Sequence, residues 1–255
     1  MGPVPGAEGP LDRVGMTPPP LSPAQERQAR TFIQANLPLR EVPGTGLRLH
    51  LAAPGSGLRR LVPPGRSPYW AHVWPGGLAL AQHIAQGNLA GPLEDARPET
   101  WDVGAGSGLA GLAAARAGLS VVALDSDPLA LVALQLNAEA NGLTIQTRLA
   151  GFPTTPVVPD GRPALLLAGD VFYDAKVAAR ATACFDAQPG SVTVLVGDIG
   201  RSYLPRHRLE RLSRHAVRDV GDPPSMPSHD GWVYRWARLP TRKGAPRGAL
   251  PDEPA

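Results

Sequence analysis

The chain has 255 residues, enough for one α/β domain with a sizeable core, and its 43% apolar content is ordinary for a globular protein. A net charge of +3 with no Lys/Arg run excludes a basic nucleic-acid stripe, and no apolar run approaches the roughly 20 residues of a membrane span. Cys184 is alone and the six histidines lack metal-ligand spacing, which excludes a disulfide framework and a zinc site. With no hydrophobic signal region and no heptad run, the expectation is a cytoplasmic monomer without a membrane, nucleic-acid or metal partner.

Residues 1–20, ending in Pro18-Pro19-Pro20, read as a disordered tail. Ser22 then caps a helix with Pro23 in its first turn, Glu26 three residues on, and Ala29, Phe32 and Ile33 on one face. Leu47 to Leu51 alternates as a strand and Pro54-Gly55-Ser56-Gly57 breaks it. Residues 21–66 form an N-terminal cap segment rather than a second domain, and 67–240 the main domain.

Ser67 to Gly77 concentrates Tyr69, Trp70 and Trp74 in a chain that is only 5% aromatic. Trp70 reads equally as a core anchor. Trp74 precedes Pro75-Gly76-Gly77 and a helix over Leu78 to Ile84, a turn suited to closing over a ligand.

From Thr100 the pattern alternates between strand and helix. A first strand, Thr100-Trp101-Asp102-Val103, breaks into Gly104, Gly106 and Gly108 before a helix from Leu109. Strands follow at Leu119 to Leu124, ending in Asp125-Ser126-Asp127-Pro128, then at Thr144 to Leu149, Ala164 to Ala168 and Ser191 to Val196. Helices are expected over Leu129 to Ala140, Lys176 to Phe185 and Arg206 to His215. Ala216 to Val220 and an alternating Trp232 to Leu239 complete the strands, and 241–255 read as a disordered tail. The fold class is α/β: a Rossmann-like, mostly parallel seven-stranded sheet with an antiparallel last strand, helices on both faces and a small N-terminal helical cap.

Glycines after the first strand allow positive φ and a close approach of ligand to main chain, and the helix start beyond offers unpaired N–H groups. Two cofactors use such a loop. Gly106, Gly108 and Gly111, with Asp125 downstream, have the spacing of a dinucleotide site. Asp102, Gly104, Gly106 and Gly108 have that of an S-adenosylmethionine (SAM) site. A carboxylate at the strand end repels a pyrophosphate and attracts an amino group, so Asp102 favours SAM.

Polar residues fall at the C-terminal ends of the first, second, fourth and fifth strands, the edge where open α/β sheets bind ligands. The arrangement from about Leu47 to Leu239 resembles the class I SAM-dependent methyltransferases. Pro68-Tyr69-Trp70-Ala71 with Trp74-Pro75-Gly76-Gly77, Leu136-Asn137, Gly169-Asp170-Val171-Phe172-Tyr173-Asp174 and Gly197-Asp198-Ile199-Gly200-Arg201 narrow the likeness. They resemble the seven-β-strand protein-lysine methyltransferases, and among these the electron-transfer flavoprotein β-subunit lysine methyltransferase family.

The resemblance implies that Asp102 binds the SAM amino group, and that Gly104, Ala105, Gly106 and Gly108 bring main chain against its methionine part. Asp125 would take the ribose hydroxyls, Ser126 would donate near adenine, and Trp74 would pack over the methionine end. Related families carry Asp-Trp after the third strand; here stand Gly151-Phe152, with Phe152 as an apolar wall and no acidic adenine contact. Asp170 and Tyr173 form a D-x-x-Y element, Asp170 orienting the acceptor lysine and Tyr173 lining its channel. Asp174 suits a helix N-cap, while Asp198 and Arg201 are either substrate contacts or a strand-end turn. The implied activity is SAM-dependent protein-lysine methylation of the electron-transfer flavoprotein β subunit. Alternatives are another protein or small-amine acceptor, or an NAD(P)-binding Rossmann protein.

Overall fold

The computed structural model describes residues 18–89, 98–158, 162, 164–223 and 225–238. The two expected disordered tails lie outside these residues, apart from Pro18, Pro19 and Pro20, which have no regular structure.

Helix α1 (Pro23–Asn36) starts as expected at Ser22, whose Oγ accepts the Gln25 N–H. Gln25 Oε1 accepts the Ser22 N–H at 2.9 Å in return, so Gln25 rather than Glu26 closes the capping box. A hairpin of β1 (Leu39–Val42) and β2 (Leu47–His50) follows. β1 was not expected, because three of its four residues are exposed and its sequence has no alternation.

The main sheet has the order β5-β4-β3-β6-β7-β9-β8. Strands β3 (Glu99–Val103), β4 (Val121–Asp125), β5 (Gln146–Leu149), β6 (Ala164–Gly169) and β7 (Val192–Asp198) pair in parallel. β9 (His229–Trp236) runs antiparallel between β7 and β8 (Leu209–Val217). Four helices complete the layers: α2 (Pro75–Ala85), α3 (Leu109–Arg116), α4 (Pro128–Ala140) and α5 (Ala175–Asp186). The central strands are apolar on both faces because helices cover both. Leu165 and Leu167 pack with Leu80 and Leu112, while Leu166 and Ala168 face the opposite layer with Phe172 and Phe185. The strand order reverses between β3 and β6, which opens a crevice at their C-terminal ends.

The helix expected over Arg206 to His215 is absent. A short 3-10 turn, Arg206–Arg208, leads directly into β8. The register shifts between Arg211 and Ser213, so Leu212 is an extra residue. Before it Leu209 and Arg211 sit opposite Trp236 and Tyr234; after it Ser213 sits opposite Val233, whose side chain belongs to the other layer. The bulge destroys the two-residue period and leaves Leu209 and Leu212 three apart, a spacing that imitates a helix.

The start of α2 lies directly on the ends of β6 and β7. A Cβ on Gly169 would stand 2.7 Å from Gly77 Cα, and one on Gly76 would overlap the Gly197 carbonyl. Only backbone against backbone fits here. Gly76→Ala is expected to lower stability by about 3 kcal/mol or more, measured by urea unfolding, while Gly190→Ala, with nothing near its Cβ position, leaves the midpoint unchanged.

Candidate active site

Each central parallel strand ends in or beside an aspartate. Asp102, near the end of β3, is 2% exposed and its Oδ2 accepts the Gly111 N–H at 2.8 Å. It therefore lies beneath the glycine loop and holds the first turn of α3. Burial pushes its carboxyl up to about 7, against the opposing Gly111 hydrogen bond. Gly104, Gly106 and Gly108 have φ of 70°, 54° and 83°, the left-handed region that glycine adopts without cost. A Cβ at Gly108 would meet Leu134 Cγ at 2.6 Å, so that glycine also lets the loop sit on α4.

Asp125 ends β4, half-buried at the mouth of the crevice. Its Oδ2 accepts the Gly106 N–H and its Oδ1 the Asp127 N–H, both at 2.8 Å. Burial raises it to about 6, more strongly than these bonds lower it. Each oxygen keeps a lone pair for a further donor. Asp127 caps α4 through the Leu129 N–H at 2.9 Å, and Ser126 between them is exposed.

A Cβ position on Gly104 has only Phe152 Cζ and Val171 Cγ1 near it, both at 3.8 Å. Phe152 and Val171 thus stand beside Gly104, and Asp125 holds the next glycine of the loop, Gly106. Opposite, the Gly106 Cβ position comes within 3.9 Å of Trp70 Cα. Trp70 itself is 2% exposed among Ile33, Leu129 and Leu136, so its ring is a core anchor and its main chain covers the loop. Asn137, fully buried, accepts the His50 N–H at 2.7 Å and donates to the Ser107 carbonyl at 2.9 Å. That pair of bonds ties the N-terminal hairpin to the glycine loop and gives Leu136-Asn137 its purpose.

Asp170 follows β6. It is the one described non-glycine residue with positive φ, 54°, and is 7% exposed. Its Oδ2 accepts the Gly77 N–H at 3.0 Å, from the first turn of α2. Its Oδ1 accepts from Arg201 Nε at 3.2 Å and Nη2 at 3.0 Å. Burial lifts its carboxyl to about 6 although the Arg201 charge opposes the rise. Asp198, at the end of β7 and fully buried, fixes the base of Arg201: its Oδ1 accepts the N–H groups of Gly200 at 2.6 Å and Arg201 at 2.7 Å. Its other oxygen is buried without a hydrogen-bond partner among the described residues. Asp174 caps α5, accepting from Lys176 and Val177 N–H.

Aromatic rings rim this second corner. The Trp74 indole donates to the Tyr69 carbonyl at 2.7 Å, its ring centroid is 5.6 Å from Tyr69, and Tyr69 is 5.7 Å from Tyr173. Tyr69 and Tyr173 are about half exposed, and Arg201 lies 5.9 Å from the Trp74 centroid. The structure therefore divides the sequence-derived residues into two groups. Asp102, Gly104, Ala105, Gly106, Gly108, Asp125, Ser126 and Phe152 gather around the glycine loop; Asp170 and Tyr173 gather with Trp74. What the sequence did not reveal was Tyr69 in the rim, Gly77 as a donor and the Arg201–Asp170 pair, which spans 31 residues. The tandem Gly76-Gly77 and the polar run Gly197 to Arg201 were the available signals.

The sheet order, with a glycine loop after its central strand, defines the class of fold: a Rossmann-like α/β sheet. A 16S rRNA methyltransferase from T. thermophilus, solved with AdoMet and guanosine, shares this fold at TM-score 0.51 and 16% identity, over 80% of this chain and 50% of that one. Residues 90–158 match the ribosomal protein L11 methyltransferase (PrmA) family model.

Curated relatives narrow the assignment. Electron transfer flavoprotein beta subunit lysine methyltransferase of Xenopus laevis is 34% identical over 68% of this chain and 72% of its own length. The Caenorhabditis elegans homolog is 30% identical over 84% and 93%. The chain belongs to the electron transfer flavoprotein beta subunit lysine methyltransferase family. Against the Danio rerio member, 36% identical, the match spans 58% of this chain and 56% of the relative.

The buried carboxylates give a test by pH. Asp102 binds its proton more tightly folded than unfolded, so its contribution to stability is full below about 4 and is lost as pH rises through about 7. Asp102→Asn removes that loss. Urea midpoints are expected to shift in the variant's favour on going from pH 5 to pH 8; a variant-minus-wild-type difference independent of pH would show that Asp102 does not titrate in this range.

Proposed function

We propose that the chain is a SAM-dependent protein-lysine N-methyltransferase whose substrate is the electron-transfer flavoprotein β subunit. The observation that carries this reading is the pairing of two unlike corners on one sheet edge: a glycine loop with a ribose-type carboxylate at β4, and an aromatic corner around Asp170 after β6. The family's named activity supplies the acceptor.

The residues fit the cofactor. Asp125 has lone pairs left for two vicinal hydroxyls, a charge-assisted geometry, and Phe152 and Val171 offer a flat apolar wall beside Gly104. Ser126 stands exposed next to Asp125, and Asp102 lies beneath the loop, where it holds the Gly111 N–H. When bound, SAM supplies an electrophilic methyl group on a sulfonium.

At the acceptor corner the chain's own groups have three tasks. A lysine ammonium, with an ordinary pKa of about 10.4, must enter, lose a proton and stay in line with the methyl group. Asp170 provides the anionic contact that draws and orients it. Tyr69, Tyr173 and Trp74 present ring faces that attract a cation and exclude water from the neutral amine. The released proton passes to solvent, for which half-exposed Tyr173 leaves a path.

Two variants separate the corners. Asp125→Ala is expected to weaken SAM about 30- to 1000-fold by calorimetry, for a lost contact of about 2–4 kcal/mol, with the fold intact. Asp170→Asn suits the site because asparagine also tolerates positive φ. It should leave SAM affinity within about twofold while methyl transfer to the purified β subunit, followed by mass spectrometry, falls roughly 10²-fold. Wild-type turnover in a folded Asp170→Asn protein would remove Asp170 from the acceptor site, and methylation of small amines but not of the protein would replace the substrate.

A further inference from the structure

Asp170 is already occupied by a cation of this chain. Two nitrogens of Arg201 reach the same carboxylate oxygen, at 3.2 and 3.0 Å, which is the contact an incoming ammonium would need. The base of Arg201 cannot move far, since Asp198 holds its main-chain N–H and that of Gly200. Its tip has a choice. The Nη2 atom on Asp170 lies 3.6 Å from Asp219 Oδ2. Asp219 is set to receive it: its Oδ1 accepts the Val220 N–H at 2.8 Å, its own N–H donates to Asp222, and Oδ2 remains toward Arg201. Arg201 also lines a hollow of about 290 Å³ with Tyr173, Ile199, Gly200 and Ser202, so there is room beside the residue.

We propose that Arg201 is the positioning residue of the acceptor corner, a stand-in that occupies Asp170 until a substrate ammonium replaces it and that is then carried by Asp219. The proposal rests on the lysine-transfer reading above. The charges favour the exchange. Asp170 and Asp219 bring two carboxylates to one guanidinium, and Asp198, bonded to the Arg201 main chain, adds a third charge nearby, its second oxygen buried without a hydrogen-bond partner among the described residues. The nearby Arg206 donates to the Gly200 carbonyl and its charge also reaches Asp198, which leaves three carboxylates to two guanidiniums. A further cation therefore enters a corner with negative charge in excess, and neither it nor Arg201 has to leave. Discrimination follows as well: a neutral or anionic side chain cannot displace Arg201, so the residue screens acceptors by charge before alignment.

The exchange makes Asp219 matter only through Arg201, and a double-mutant cycle reads that dependence. With the β subunit as acceptor, Asp219→Asn should raise KM for the protein about tenfold, with kcat changed less than about threefold and SAM affinity unchanged. In an Arg201→Ala background the same Asp219→Asn change should do nothing. Arg201→Gln is run beside the alanine variant so that a folding defect in one leaves the cycle intact. An unchanged KM in Asp219→Asn, or an equal rise with and without Arg201, overturns the handover.

If wild type transfers no methyl group to the β subunit, the lysine-transfer reading is what fails. The handover is then read from the Arg201 Nε–H NMR signal on titration with N-acetyl-lysine amide in the presence of S-adenosylhomocysteine. A saturable shift in wild type and none in Asp219→Asn supports it; no shift in wild type overturns it.

Discussion

Aspartates at the strand ends organise the molecule. Asp102, Asp125, Asp170 and Asp198 belong to the four central parallel strands or the residue just past them, and each accepts at least one main-chain N–H. A buried carboxylate without such donors would be too costly to keep, so the donors must be brought to it. Gly111 brings the first turn of α3, Gly106 the glycine loop, Gly77 the first turn of α2, and Gly200 with Arg201 the turn after β7. The functional edge is thus the place where loops are fastened to the sheet by charge-assisted bonds.

Glycine makes the fastening possible. The Gly77 N–H reaches Asp170 because the start of α2 lies against Gly169 and Gly197 with no side chain between. A single Cβ there would lift the helix and withdraw the donor from Asp170. The same approach sets Trp74, the residue before α2, beside Arg201. Packing and electrostatics at this corner are one constraint, and the positive φ of Asp170 is the strain it stores at the site.

Much of this was legible in the sequence, and the boundary is physical. β4, β6 and β7 were readable because strands covered on both faces are short, mostly apolar runs between glycine and aspartate punctuation, and β3 by the glycine loop that follows it. β8 was misread because one inserted residue, Leu212, cancels the two-residue period by which a strand is recognised. The Asp174 cap depends on neighbours within a turn, so its spacing carried it, and the strand–loop–helix pattern carried the glycine loop and Asp125, which meet across 19 residues. Pairs made across the fold had no such trace: Asp170 with Gly77 is 93 residues apart, and Asn137 with His50 is 87. Pro75-Gly76-Gly77 marked Trp74 locally as rim, but nothing local marks Trp70 as core; the layer of α1 and α4 decides it.

The cost of burying these carboxylates connects stability to ligand chemistry. Asp102, Asp125 and Asp170 are all raised to about 6 to 7 by desolvation, so near neutrality Asp125 and Asp170 are mostly ionised and Asp102 about half, each against the preference of its surroundings. A positive charge brought to the edge relieves that tension. Arg201 already does so at Asp170, which is why that carboxyl is not higher still. On the reading proposed here, both reactants arrive as cations, a sulfonium with its ammonium on one side and a lysine on the other. Each then stabilises the ionised form of the aspartates it meets, and by linkage those aspartates strengthen its binding to the same extent. The destabilising burial and the affinity are two aspects of one arrangement. A sheet edge lined with well-solvated carboxylates would cost the fold less, but water would screen them and weaken their hold on either cation.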